Sequence, residues 1–141
     1  MKRVLVDVNV VLDVLLDRKP HAAASAAVWA AIETGIAEGL LAAHAVTTIH
    51  YLISKELGAA RARRMVSAIL RVFSVAAVDG AVIHDALHSA WPDFEDAVTA
   101  SAARLAGCDI LVTRDPRGFR QSSVRVLTPE AAAPLLAGAR G

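Results

Sequence analysis

Short apolar runs alternate along this chain with longer segments of helical periodicity, and this alternation limits the possible folds more than any other feature. The runs lie at 4–6, 40–43, 75–78, 109–113 and 124–127. The segments between them space their apolar residues as a helix does. Strands that alternate with helices form a parallel sheet with helices on both faces. The sequence therefore predicts an α/β fold, a three-layer α/β/α arrangement around a central parallel β-sheet.

The composition fits one domain with a well-filled core. Of the 141 residues, 55% are hydrophobic and only 4% are aromatic, so small and branched aliphatic side chains must fill the interior. The formal net charge is +1, which neither favours nor excludes an RNA partner, because the placement of charges matters more than their sum. We expect a single domain over residues 1–141.

Cysteine usage and the N-terminal segment bear on the compartment. Cys108 is the only cysteine, so the chain cannot form an internal disulfide, which suits a reducing compartment. Asp7 and Asp13 interrupt the apolar run that a signal peptide needs. No stretch free of charged residues approaches the roughly 20 apolar residues that span a bilayer. We therefore expect a cytoplasmic protein without membrane contact.

Aspartates occupy related places in the predicted sheet and helices. Asp7 ends the first apolar run, and Asp115 comes shortly after the fourth. Asp93 and Asp96 lie at the start of a helix predicted over 94–105. In a parallel sheet, these places converge on the edge formed by the carboxyl ends of the strands. Clustered carboxylates repel one another unless a hard divalent cation neutralises them, so the pattern indicates a Mg²⁺ or Mn²⁺ site and metal-assisted phosphodiester chemistry.

Four segments together resemble the PIN domain, the nuclease fold of VapC-type toxins from bacterial toxin–antitoxin pairs. The segments are LVDVNVVLD at 5–13, DFEDAV at 93–98, LVTRD at 111–115 and VLTPE at 126–130. Each segment alone is a weak signal, but their order and spacing match the family over nearly the whole chain. The resemblance implies a PIN-like fold and a nuclease activity.

The resemblance also implies which acids bind metal. Asp7 matches the first metal-binding acid of the family, and Asp96 matches the acid that begins its central metal-binding helix. Asp115 matches the acid of the family's Thr-x-Asp pattern. Asp93 precedes Asp96 by about one helical turn and is expected on the same face if the helix extends that far. Acids in a first helical turn also stabilise the helix dipole by about 0.3 to 1 kcal/mol, which is the alternative role for Asp93 and Asp96.

Other polar residues near these acids have supporting or ordinary roles. Asn9 is expected to orient Asp7 through its amide, with a plain turn residue as an equal alternative. Thr113 is a candidate for a hydrogen bond to a metal-bound water or phosphate. Asp13 fits a solvated or salt-bridged helix acid better than a ligand, and Glu95 is expected to point away from Asp96.

One position departs from the family pattern. Many members carry a glutamate in the helix after the second strand, three residues beyond a serine or threonine, and counting from Thr47 this position is His50. Histidine cannot replace the charge of a carboxylate toward magnesium, although it suits manganese, phosphate contact or packing. Either activity is reduced or Asp93 supplies the missing acid. We expect His50 in the metal crevice, with packing in the core as the alternative.

Several arginines and two histidines lie on predicted helices or beside Asp115. Arg61, Arg63 and Arg64 fit a solvated helix face better than an RNA track. His84 and His88 have zinc-binding spacing, but they lack the glutamate of His-Glu-x-x-His and a third ligand, so an ordinary helix face is favoured. The arginines beside Asp115 are better placed to hold phosphates, and they are Arg114, Arg117 and Arg120.

The resemblance implies metal-dependent hydrolysis of single-stranded RNA, a homodimer, and an antitoxin partner encoded alongside that covers the site. One alternative is a phosphatase that forms an aspartyl-phosphate, but that class requires Asp-x-Asp-x-Thr, where this chain has Asn9 and Val11. Another is a PIN-like module that binds RNA or a partner with weak or no nuclease activity, which is suggested by His50.

Overall fold

A five-stranded parallel sheet forms the centre of the computed structural model, which describes residues 1–138. Its strand order is β3-β2-β1-β4-β5, and every neighbouring pair is parallel. This arrangement confirms the α/β class predicted from the alternation of apolar runs and helical segments. The strands are β1 (Lys2–Val6), β2 (Ala37–Ala42), β3 (Ser74–Ala76), β4 (Ile110–Val112) and β5 (Arg125–Leu127).

Six α-helices and one short 3-10 helix at Pro116–Phe119 connect the strands within residues 1–138, and a seventh α-helix follows the last strand. Helix α2 packs on α1 and α7, and α5 packs on α6. None of the described helices is both long enough and apolar enough to cross a bilayer. The α-helices are α1 (Val8–Leu15), α2 (Ala22–Glu33), α3 (Ala43–Leu57), α4 (Ala59–Val72), α5 (Gly80–Ser89), α6 (Phe94–Leu105) and α7 (Pro129–Gly138).

The central strands β1 and β4 are apolar wherever they are buried. Val4, Leu5 and Val6 of β1 are buried, as is all of β4, because helices cover both faces of a parallel sheet. From β1 the chain moves to β2 on one side, and β4 lies on the other side. Open α/β sheets bind ligands at the carboxyl ends of strands where the strand order reverses in this way. The fold therefore points to the crevice beyond Val6 and Val112.

Helix α3 begins earlier than the sequence predicts. The pattern predicts that Thr47 and Thr48 cap a helix starting at Ile49, but the helix starts at Ala43. Both threonine hydroxyls instead donate to the carbonyl oxygen of His44, at 2.8 and 3.4 Å. Threonine side chains bond backward to the helix backbone in this way, so a threonine pair is ambiguous between a cap and a helix interior. The early start places His44 in the first turn of α3.

Candidate active site

Asp7 stands directly after β1 and caps α1. Its Oδ1 accepts from the backbone N–H of Val8, and its Oδ2 accepts from the Thr113 hydroxyl, both at 2.9 Å. The sequence predicts a start of α1 at Val10, but the helix begins at Val8 because Asp7 satisfies the N–H of that residue. Burial raises the pKa of Asp7 above its usual range, and the two hydrogen bonds offset part of this shift.

Thr113 ties the ends of β1 and β4 together. Its side chain is buried, its hydroxyl donates to Asp7, and its Oγ1 accepts from the backbone N–H of Asp115 at 3.2 Å. The backbone N–H of Asp7 also donates to the carbonyl oxygen of Val112 at 2.9 Å. Through these contacts Thr113 positions two acids. Its contact with a metal-bound water or phosphate stays a prediction.

Asp96 faces the other acids from the first turn of α6. Burial is the largest cause that raises the pKa of Asp96 to about 6. The remaining causes are the negative charges of nearby carboxylates, in decreasing order those of Asp93, Asp7, Glu95 and Asp115. The side chain of Glu95 is exposed, yet its negative charge raises the pKa of Asp96. The expectation that Glu95 points away from Asp96 did not include this electrostatic effect.

The backbone of Gly118 brings Asp96 and Asp115 toward a common point. A Cβ atom on Gly118 would lie 2.8 Å from Oδ2 of Asp96 and 3.6 Å from Oδ2 of Asp115. Both carboxylates therefore reach the same small volume above the 3-10 helix. Like charges near one another disfavour ionisation, and the charge of Asp115 is the smallest of the named causes that raise the pKa of Asp96.

An open cavity of about 410 Å³ joins these acids, and we call it the acid pocket. Three of the four predicted metal-binding acids lie in its wall. His21 also lines it, although no motif or periodicity marks this residue in the sequence. The lining residues are Asp7, Asn9, His21, Asp96, Thr113, Arg114, Asp115 and Phe119.

Asp93, the fourth predicted acid, caps α6 instead of lining the acid pocket. Its Oδ1 accepts from the backbone N–H of Asp96 at 3.0 Å, and α6 begins only at Phe94. Asp93 therefore does not share a helical face with Asp96, and the alternative of a capping acid describes its contacts. It lines a second cavity of about 430 Å³ that adjoins the acid pocket at Asp96 and also includes Arg117 and Arg120.

Asn9 lies in the wall of the acid pocket without orienting Asp7. Its amide oxygen accepts from Arg18 at 3.4 Å, while Val8 and Thr113 hold both oxygens of Asp7. The predicted role of Asn9 as the group that orients Asp7 is therefore wrong. The first turn of α1 carries Asn9 outward from the carboxylate that precedes the helix.

His44, and not His50, is the histidine of α3 beside the acids. Its Nε2 lies 3.3 Å from Oγ1 of Thr99, burial lowers its pKa, and the negative charges of Glu95 and Asp7 partly reverse that shift. His50 follows six residues later on the same helix, which is about 120° around its axis. The expected place of His50 in the crevice is therefore wrong, because the first turn of α3 faces the acids.

Asp13 is buried and paired, so the solvated alternative does not apply. Oδ2 of Asp13 lies 3.0 Å from Nε of Arg114, and Oδ1 lies 3.9 Å from a guanidinium nitrogen of Arg18. Of the three arginines near Asp115, only Arg114 lines the acid pocket. Arg117 and Arg120 line the second cavity.

The other candidate groups in the sequence have ordinary surroundings. Nδ1 of His88 lies 2.7 Å from the carbonyl oxygen of His84, a contact within one helix that agrees with an ordinary helix face. Burial raises the pKa of the Cys108 thiol to about 11, so this side chain is protonated at neutral pH and is a poor nucleophile.

The acid pocket fits a hard divalent cation by its donor chemistry. Within residues 1–138, no three histidine, cysteine or acidic side chains are already arranged to hold a metal ion. Asp7, Asp96 and Asp115 nevertheless present carboxylate oxygens, which are the ligands that Mg²⁺ and Mn²⁺ prefer. The pKa values of Asp7 and Asp96 are raised, so their surroundings disfavour the charged carboxylates. A bound cation would stabilise these negative charges.

A comparison of the sequence with models of protein families identifies the family, and the matched region includes all of these acids. A family model described as the PIN domain matches residues 3–117. This chain belongs to the PIN domain family. The match runs from β1 into the 3-10 helix and so spans the acids of the acid pocket of this PIN domain. No curated protein sequence matches the chain.

Solved structures of other proteins share the fold at low sequence identity. VapBC2 from Rickettsia felis, bound to a DNA fragment from its promoter, gives a TM-score of 0.68 at 10% identity over 89% of this chain and 98% of that one. FitAcB from Neisseria gonorrhoeae gives a TM-score of 0.68 at 20% identity over 89% of this chain and 97% of that one. VapC20 from Mycobacterium tuberculosis, a sarcin–ricin loop cleaving toxin, gives a TM-score of 0.68 at 16% identity over 84% of this chain and 94% of that one. These PIN-like structures have the same fold as this chain.

Proposed function

We propose that this PIN domain is a metal-dependent endoribonuclease that cleaves single-stranded RNA. The observation that carries the proposal is the meeting of Asp7, Asp96 and Asp115, from three distant segments, in one acid pocket. Such a cluster stores electrostatic repulsion that a divalent cation relieves. Family membership supports a nuclease, and the likeness to VapC20 supports RNA as its substrate.

The three acids of the pocket would hold Mg²⁺ or Mn²⁺. A bound metal of this kind lowers the pKa of water and neutralises charge on a phosphate. Thr113 keeps Asp7 and Asp115 at the adjoining ends of β1 and β4 through its hydroxyl group. Asp96 is largely ionised above pH 6 and so is ready to bind a cation at neutral pH. Asp93 contributes its charge to the site from its capping position.

We also propose that the protein is the toxin of a VapBC-type toxin–antitoxin pair. The shared fold with VapBC2 and VapC20 supports this assignment. The proposal includes an antitoxin partner that covers the acid pocket, a homodimer, and a cytoplasmic location. Co-purification of the chain with the product of a neighbouring reading frame, and loss of RNA cleavage in that complex, would test it.

A second candidate function is a PIN-like module that binds RNA or a partner with weak or no cleavage. One observation favours it: the first turn of α3 presents His44 to the acids, and a histidine adds no negative charge to the metal site. An affinity for RNA without cleavage, together with weak Mg²⁺ binding, would identify this function.

RNA cleavage by the purified chain separates the two candidates. We expect cleavage of single-stranded RNA with Mn²⁺ or Mg²⁺ and none with EDTA. Asp7→Asn should lower cleavage by about 100-fold or more while the protein stays folded, because a negative ligand is lost. Asp17→Asn is the matched control, since Asp17 is an exposed acid near the end of α1 and outside the acid pocket. Equal cleavage by Asp7→Asn and the parent would remove Asp7 from the site.

A further inference from the structure

Arg114 lies between the protein interior and the acid pocket. Its Nε is 3.0 Å from Oδ2 of Asp13, and the residue also lines the acid pocket. The Asp13 side chain is 0% exposed and that of Arg114 is 27% exposed. The arginine therefore contacts a buried acid, is itself partly exposed, and borders the acid pocket.

The buried acid determines where this arginine lies. A buried carboxylate needs a charged partner, because it has lost its hydration. Asp13 has Arg114 in close contact and Arg18 at a longer distance of 3.9 Å. The Nε–H of Arg114 is not aimed at the oxygen well enough to count as a hydrogen bond, so the contact is an ion pair. Without Asp13, a long arginine side chain on this loop would be free to extend into solvent.

The ion pair keeps Arg114 from neutralising the acids of the pocket. Arg114 directly precedes Asp115, yet among the described residues its ion pair is with Asp13 and not with Asp7, Asp96 or Asp115. The three acids therefore remain available to a cation. Arg114 nevertheless lines the same cavity, so an anion held by that cation would lie near its positive charge.

We propose that Arg114, held in place by the positioning residue Asp13, binds the phosphate group of RNA in the acid pocket. The inference rests on the proposed function and adds the phosphate ligand to it. A guanidinium group has planar, forked donors that match phosphate oxygens, and it stays charged at any relevant pH. At this place it would stabilise the negative charge that builds up on the phosphate during cleavage.

Arg114→Met tests the phosphate contact, because methionine keeps an apolar stem and removes the charge. We expect cleavage of a single-stranded RNA to fall about 100-fold while Mn²⁺ affinity, measured by calorimetry without RNA, stays equal or tightens. With Ca²⁺ in place of Mn²⁺, the slope of log RNA affinity against log salt should fall by about one. The control is Arg71→Met, an exposed arginine near the end of α4, which should change none of these values.

Two further variants separate the effect of Asp13 on the position of Arg114 from its effect on the folding of the protein. Asp13→Leu/Arg114→Met removes both charges, so no buried charge is left without a partner and the melting temperature should stay near that of the parent. This double variant should lose as much cleavage as Arg114→Met. Asp13→Asn should lose about 10-fold in cleavage, with a lower salt slope and unchanged Mn²⁺ affinity.

Several results would overturn the inference. A folded double variant, or a folded Arg114→Met, that cleaves and binds RNA as the parent does would exclude the phosphate contact. A parallel loss of Mn²⁺ affinity in Arg114→Met would show that the arginine only shapes the metal site. If the parent binds RNA but does not cleave it, the proposed nuclease function fails, while the salt slope of Arg114→Met still decides whether this arginine contacts a phosphate.

Discussion

At the scale of single residues, the Asp96 carboxylate has room because residue 118 is a glycine and carries no side chain. The next residue, Phe119, is buried and meets Trp91 edge to face, with 5.8 Å between ring centroids. This contact anchors the 3-10 helix of residues 116–119, so its backbone cannot easily retreat. A side chain at Gly118 would therefore displace the carboxylate and not the helix.

Gly118→Ala should leave the fold intact and weaken metal binding. The added Cβ would lie 2.8 Å from Oδ2 of Asp96, so the flexible carboxylate must move away from residue 118. We expect Mn²⁺ affinity to fall by about 10-fold, as for changes that disturb the orientation of a ligand, with a small change in melting temperature. Gly80→Ala is the control, because a Cβ there meets nothing within 4 Å. Unchanged calorimetric Mn²⁺ binding by Gly118→Ala would count against the role of Asp96 as a ligand.

A pair of identical substitutions on α3 tests which histidine faces the acids. His44→Glu should tighten Mn²⁺ binding, because it adds a carboxylate beside Asp7, and it should destabilise the metal-free protein through added repulsion. His50→Glu makes the same change about 120° around the helix and should leave Mn²⁺ affinity unaltered. Calorimetric titration of both variants decides the matter. Tighter binding only in His50→Glu would reverse the assignment.

The sequence predicted the acids of the site better than the groups that support them. Asp7 and Asp115 follow apolar runs, and Asp96 begins a helix, so their convergence at one sheet edge follows from the α/β topology. The burial of Asp13 and the inward turn of Arg114 could not be predicted, because they depend on how α1 meets the loop after β4. His21 was missed for the same reason.

At the scale of secondary structure elements, β2 shows how a glycine can lie within a strand. The apolar run at 40–43 predicts a strand that begins at Leu40, but the strand begins at Ala37. A Cβ on Gly39 would lie 2.6 Å from Ile32 and 2.8 Å from Phe73, both of which are buried. Glycine is therefore required by close packing of α2 and the end of α4 on the strand, which local sequence does not reveal.

Gly39→Ala should destabilise the whole domain. The new methyl group would overlap Ile32 and Phe73, which are held by neighbouring core residues, and overpacking of this kind costs about 1–3 kcal/mol. Urea denaturation followed by circular dichroism should show a lower midpoint with the same slope. Gly80→Ala again serves as the control, with little change expected. A midpoint equal to that of the parent would mean that β2 and α2 move apart at little cost.

At the scale of the whole molecule, the acid pocket opposes folding when no metal is bound. The pKa of Asp96 rises from 3.8 to about 6 on folding, so the folded protein holds a proton that the unfolded chain releases. Stability of the metal-free protein should therefore fall as the pH rises from about 4 to about 6 and stay lower above that range. A cation that binds only the folded protein reverses this loss.

Melting temperatures between pH 4 and pH 8, with and without Mn²⁺, test this relation. The rise caused by Mn²⁺ should be small near pH 4, where protons compete for Asp96, and should grow through pH 6. Asp96→Asn should remove much of the decline in the metal-free protein and abolish the rise with Mn²⁺. If Asp96→Asn keeps the pH dependence of the parent, another group must be responsible for it.

The bond between Thr113 and Asp7 joins residues 106 positions apart, and it has a consequence for synthesis of the protein. β1 is translated first, yet its neighbour β4 and the loop with Asp115 emerge only after most of the chain. A fragment that ends between residues 96 and 112 contains Asp7 and Asp96 but lacks Thr113 and Asp115, so it cannot close the acid pocket. The acid pocket can therefore be completed only late in synthesis, after the loop that follows β4 has been made.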